Sequence, residues 1–214
     1  MYLYSDLGTG EPYYVLFVLF WSRNINSKME NSFYTMNYFL LSFFLGLFFC
    51  YSLKPVYHES RPFFDDISLG DLNIKDCSAE FGNPSAHSIL AGQIPLVLMW
   101  YYLDTYRDYF NKNKFLKFSL KAFTWSFILG VIYSRVYVGR HSFDQIIYGV
   151  LLGILLAYFS HYYFRQNIFD PTMRDDLTSG ECRYHAQIAV YLLMGSMVLS
   201  HLLFYYIENY VDIP

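Results

Sequence analysis

Asn31 to Leu53 is a run of 23 residues without a formal charge. Coiled as a helix that rises about 1.5 Å per residue, it is long enough to cross a hydrocarbon core about 30 Å thick. Lipid offers no partner to backbone N–H and C=O groups, and a helix satisfies them within its own run. This stretch therefore commits the chain to a membrane, and the remainder is read in that light.

Four further runs repeat the pattern. A helix is expected from Ser85, just after Pro84, to Leu103, with Pro95 inside it. Others are expected over Phe115–Ser134, Gln145–Phe164 and Tyr184–Ile207. Pro12–Ser22 is uncharged over only 11 residues and spans only if Arg23 and flanking polar groups snorkel. The segments 55–80, 104–114 and 165–183 are hydrophilic and are read as loops. The expected fold is all-α: a polytopic membrane helix bundle of about six transmembrane helices in a single domain over residues 1–214. Gly149 and Gly153, in G-V-L-L-G, have the small-xxx-small spacing that lets two helices approach closely.

Composition agrees with this reading. The chain is 55% hydrophobic, 22% aromatic and only 15% charged, which is too apolar for an average soluble domain. Its 23 tyrosines suit membrane interfaces. A net charge of -3 points neither to nucleic acid nor to strong adhesion to anionic lipid. Cys50, Cys77 and Cys182 lack metal-ligand spacing, and neither a disulfide framework nor a zinc site is expected. The start, M-Y-L-Y-S-D, lacks the basic region of a cleavable signal, so the first spans are expected to target the protein.

Alternating helices put Lys54, Arg61, Lys75, Arg135 and Arg140 on one face, which is 5 of the 15 basic residues, and the other 10 opposite. The excess of Lys and Arg marks the cytoplasmic side. The face with five then looks to a lumen or the cell exterior, in the endoplasmic reticulum, another endomembrane or the plasma membrane.

That outer face gathers three polar clusters, each at the end of a span. Lys54 is followed, after six residues, by Arg61-Pro62; next come Pro84-Ser85-Ala86-His87; last is S-R-V-Y-V-G-R-H-S-F-D-Q from Ser134 to Gln145. Taken singly, each has a plain explanation: a snorkelling lysine, a helix cap, a core histidine. Together, Lys54, Arg61 and Arg135 supply a point charge and two planar forks, both suited to phosphate. Ser85 and Ala86 would open a helix whose free N–H groups bind an anion. One of His87 and His141 can attack phosphorus while the other protonates the leaving oxygen. No carboxylate or cysteine cluster accompanies them, so the chemistry suggested is phosphoryl transfer without a metal or other cofactor. His58, His161, His185 and His201 are read as structural.

In order and spacing these clusters resemble the signature of the type 2 phosphatidic acid phosphatase superfamily, which includes glucose-6-phosphatases and vanadium haloperoxidases. That signature runs Lys, six residues, Arg-Pro; Pro-Ser-Gly-His; then Ser-Arg, five residues, His, three residues, Asp. The resemblance covers about residues 54–153. It implies that Lys54, Arg61, Ser85, the Ala86 N–H and Arg135 bind phosphate. It also implies that His141 forms a phosphohistidine and that His87 is the general acid. Two positions depart from the pattern: Ala86 stands for glycine, and Gln145 stands for the aspartate four residues after His141, with Asp144 one residue earlier. The family spacing makes Gln145 the expected partner of the His141 ring, with Asp144 as the alternative. The expected activity is hydrolysis of a lipid phosphate or diphosphate, with a lipid phosphate and the bilayer as partners. A sugar phosphatase or a lipid phosphotransferase would carry the same motifs, whereas an inactive phospholipid-binding relative would have no use for both His87 and His141.

Overall fold

The computed structural model describes residues 29–62, 81–169 and 180–210, and every long regular element among them is helical. Helix α1 is Met29–Tyr57, α2 is Ala86–Thr105, α3 is Arg107–Lys112, α4 is Lys114–Tyr137, α5 is Phe143–Phe159 and α6 is Gly180–Tyr210. A π-helical stretch, Ser160–Phe169, prolongs α5. The short run Pro12–Ser22, the greater part of the 55–80 loop and Cys77 fall outside the described residues.

Among the described residues, three segments are long and apolar enough to cross a bilayer: Tyr38–Tyr57, Lys114–Tyr137 and Phe143–Arg165. Six spans were expected. Helix α2 has the length, at 20 residues, but carries Ser88 and Gln93 on a side packed against its neighbours. Both are fully buried, and Gln93 donates through Nε2 to the Ser42 carbonyl of α1 at 2.6 Å. Protein, rather than lipid, therefore surrounds the polar side of α2. In α6 the described apolar stretch is the shorter Tyr191–Leu203.

Two expected boundaries are corrected. Helix α1 does not stop where the uncharged run ends at Leu53; it passes through Lys54 and continues to Tyr57 with Pro55 inside it. The helix ends at His58, whose φ of 49° is left-handed and whose N–H donates to the Lys54 carbonyl at 3.1 Å. The 104–114 loop contains α3, in which Phe110 is buried while charged residues around it stay in water.

The core lies where α1, α2, α4 and α5 meet, with Tyr38, Phe39, Leu96, Val97, Ile128 and Val150 among its members. Close packing of α2 on α5 depends on glycine. A Cβ on Gly149 would come within 2.9 Å of the Ser85 carbonyl, and one on Gly92 within 2.8 Å of the Val150 carbonyl. One on Gly153 would collide with the Ile89 carbonyl. These are backbone atoms and cannot swing aside. The small-xxx-small pattern of α5 thus sets the depth at which α2 begins, and with it the height of His87. Gly153→Ala is expected to destabilise the fold by about 1–3 kcal/mol, the usual cost of overpacking. Gly195→Ala, where nothing lies within 4 Å of the added carbon, is the control. Equal melting temperatures for the two variants in detergent would contradict this packing.

At the far end of the bundle His161 is buried, with Nε2 2.9 Å from Asp104 Oδ2 and Nδ1 3.4 Å from the Tyr38 hydroxyl. This is the structural use expected of it. It ties the π-helical stretch to α1 and α2.

Candidate active site

The polar residues of the three clusters arrive at one end of the bundle on the ends of different helices. Lys54 lies in the last turn of α1, with its ammonium 5.7 Å from the centre of the Tyr51 ring. Arg61 follows in the segment after that helix. Ser85 is the N-cap residue of α2, Ala86 its first residue and His87 its second. Arg135 is in the last turn of α4. The chain then reverses through Gly139, whose φ of 70° suits a residue without a side chain, and returns to His141 just before α5.

Burial of these groups is unusual. Lys54 and Arg135 are each 1% exposed, and Arg61 and His141 are 5%. The Ser85 hydroxyl is fully buried and has no hydrogen-bond partner among the described residues. His87 and Ala86 are only half-buried. Helical geometry leaves the first N–H groups of α2 without intrahelical acceptors. The Ser85 N–H lies 3.5 Å from the Gln145 carbonyl, and the first helical bond is from Ile89 N–H to the Ser85 carbonyl at 3.0 Å. The N–H groups between them, on Ala86, His87 and Ser88, open the helix beside the cationic side chains.

Electrostatics ties the clusters together. Burial first, then the charges of Arg61 and Arg135, with His87 and Lys54 adding to them, hold His141 well below the usual imidazole range. His141 is therefore a neutral ring at physiological pH. Its Nδ1 is 2.9 Å from the Gly82 carbonyl. A carbonyl only accepts, so Nδ1 carries the proton and the Nε2 lone pair is available.

This corrects the expected partner of His141. Gln145 does not bond to the imidazole. It occupies the third position of α5, where its Oε1 accepts from the Ser142 N–H at 3.3 Å in a capping box. Its Nε2 donates to the Ser60 carbonyl at 3.0 Å and to Glu59 Oε2 at 3.4 Å. Asp144 is exposed in the first turn of α5, where a negative charge favours the helix dipole. The S-x-x-Q spacing of Ser142 and Gln145 is the legible sign of that box. Glu59 and Gly82 carried no sign of their own.

Along the outside of α5, Phe143, Ile147, Leu151 and Leu155 are 63%, 41%, 60% and 61% exposed. Their four-residue spacing makes one apolar stripe that begins two residues from His141. The chain matches the family described as the PAP2 superfamily over residues 35–169, from within α1 to the end of the π-helical stretch. No curated protein and no solved structure matches it significantly.

Proposed function

We propose that this chain, which belongs to the PAP2 superfamily, is an integral membrane phosphatase that hydrolyses a lipid phosphate or diphosphate through a phosphohistidine. The superfamily supports phosphatase activity in general. The observation that carries the finer reading is the His141 ring, buried beside Lys54, Arg61 and Arg135 with its Nδ1 proton committed to the Gly82 carbonyl.

In the proposed reaction the phosphate lies among Lys54, Arg61 and Arg135, the Ser85 hydroxyl and the Ala86 N–H. His87 takes up a proton as the phosphate dianion enters and offsets the charges of Arg135, Arg61 and Lys54 around it. His141 Nε2 then attacks phosphorus, the bond to the leaving oxygen breaks, and His87 gives that oxygen its proton. His87, now neutral, takes a proton from water. That water attacks the phosphohistidine and releases inorganic phosphate, and His141 regains its lone pair. Side-chain cations stabilise the charge on the equatorial oxygens throughout.

The α5 stripe favours a lipid substrate, because acyl or isoprenoid chains can lie against it while the head group reaches His141. The count of 10 basic residues against 5 favours the lumenal or extracellular side. About six spans remain the proposed topology, with residues 1–214 as one domain.

The test is phosphate release by purified protein from phosphatidic acid, an isoprenoid diphosphate and glucose 6-phosphate, in excess EDTA. Turnover of an amphiphile is expected to persist in EDTA and to be inhibited by vanadate, which mimics trigonal-bipyramidal phosphorus. Preference for glucose 6-phosphate would overturn the lipid assignment. Activity lost on chelation and restored by magnesium would overturn the mechanism.

A further inference from the structure

The connection before α2 contributes more to the site than phosphate-binding groups. We propose that Gly82 is the positioning residue of the His141 nucleophile, held in register by Glu59 and Gln145. The proposal rests on the reading of His141 as the attacking group.

Both sides of Gly82 are anchored. Its N–H donates to the Glu59 carbonyl at 2.8 Å, and its own carbonyl accepts from His141 Nδ1 at 2.9 Å. The imidazole is thus oriented by a peptide fastened to the segment that follows α1. A carboxylate could orient the ring as well, but it would bring a negative charge into a pocket built to receive one. A backbone carbonyl fixes the same tautomer with no net charge.

What keeps that peptide in place is the Gln145 amide. A Cβ added to Gly82 would lie 2.6 Å from Gln145 Oε1, 2.7 Å from Nε2 and 2.9 Å from Cδ. A glutamine terminus normally yields to such a contact. Here Ser142, Ser60 and Glu59 all hold it, so yielding breaks those bonds. The other response is for residue 82 to move, and its carbonyl then leaves His141. Gln145 therefore acts on the nucleophile through Gly82 rather than by touching it, and glycine at position 82 is the condition for both.

Gly82→Ala, Gln145→Ala and the double variant test this, with phosphatidic acid in mixed micelles as substrate. Gly82→Ala is expected to lower kcat by about 10- to 100-fold, as a displaced catalytic group does, with KM changed by less than about 3-fold. Gln145→Ala alone is expected to cost less. The double variant is expected to regain several-fold over Gly82→Ala, because the shortened side chain leaves room for the methyl group. A double variant no better than Gly82→Ala overturns the proposal.

A second readout needs no turnover. In protein labelled with 15N-histidine, the His141 ring, assigned by its loss in His141→Asn, is expected to carry its proton on Nδ1. Gly82→Ala is expected to shift population to the Nε2–H tautomer. A wild-type ring protonated on Nε2 also overturns the proposal. If phosphatidic acid is not turned over, the phosphatase reading fails for that lipid while the tautomer still decides the role of Gly82.

Discussion

His141→Ala is expected to abolish the acid-labile phosphoenzyme and to lower turnover by at least about a thousandfold, since the attacking atom itself is removed. The ring is 5% exposed and neutral, and its one remaining lone pair is on Nε2. Phosphate trapped on the wild-type enzyme by rapid acid-free quenching should therefore be found on Nε2. Phosphate on Nδ1 would mean that the bond to Gly82 is broken during attack. His87→Ala is a different experiment. His87 follows Ala86 at the start of α2 and is only half-buried, so it can meet the leaving oxygen and then water. Loss of a general acid costs about 100- to 10,000-fold with an alcohol leaving group and much less with an acidic phenol. An aryl phosphate should accordingly restore phosphoenzyme formation in His87→Ala but not in His141→Ala. The reverse pattern, with phosphate recovered on His87, would exchange the two roles.

How much of this was legible in the sequence depended on whether a feature is written in side chains. Lys54, Ser85 and Arg135 sit at the helix ends where uncharged runs stop, and those ends could be counted out residue by residue. The approach of α2 to α5 was legible too, in Gly149 and Gly153, because only the absence of a side chain permits it. The structural reading of His161 agrees with the engagement of its ring by Asp104 and Tyr38. Helix α3 escaped notice because six residues rich in charge lack the apolar run that marks a span. The partner of His141 is hidden from the sequence for a deeper reason. Helical phase correctly put Gln145 near His141, but phase ignores the demand of the α5 N-terminus for acceptors. The amide answers that demand through the Ser142 N–H. The group that does meet the ring is a main-chain carbonyl, which every residue possesses, so no residue type announces it.

Arg135 provides the other large expected effect, and its substitutions separate geometry from charge. It is 1% exposed in the last turn of α4, where the end of the helix dipole favours a cation. Its guanidinium can hold two phosphate oxygens in one plane, which an ammonium cannot. Arg135→Lys is expected to lower kcat/KM by about 100-fold and Arg135→Gln by about 1000-fold, in the range found when a donor to a developing anion is removed. The pH profile then distinguishes the two. Below its pKa, His141 is an imidazolium without a lone pair, so the acid limb of kcat/KM follows that pKa. Arg135 is one of the charges that lower it, after burial and Arg61. Removing the charge raises the pKa toward its ordinary value of about 6.5 and moves the acid limb to higher pH. The shift is partial, because burial and Arg61 remain. Arg135→Lys keeps the charge and should leave the limb where it is while still losing turnover. Comparing each variant with wild type on the same substrate cancels the ionisation of the phosphate itself. If Arg135→Gln retained activity within about 3-fold of wild type, with an unmoved acid limb, the phosphate would have to lie away from α4. Lys54 and Arg61 would then be its main holders.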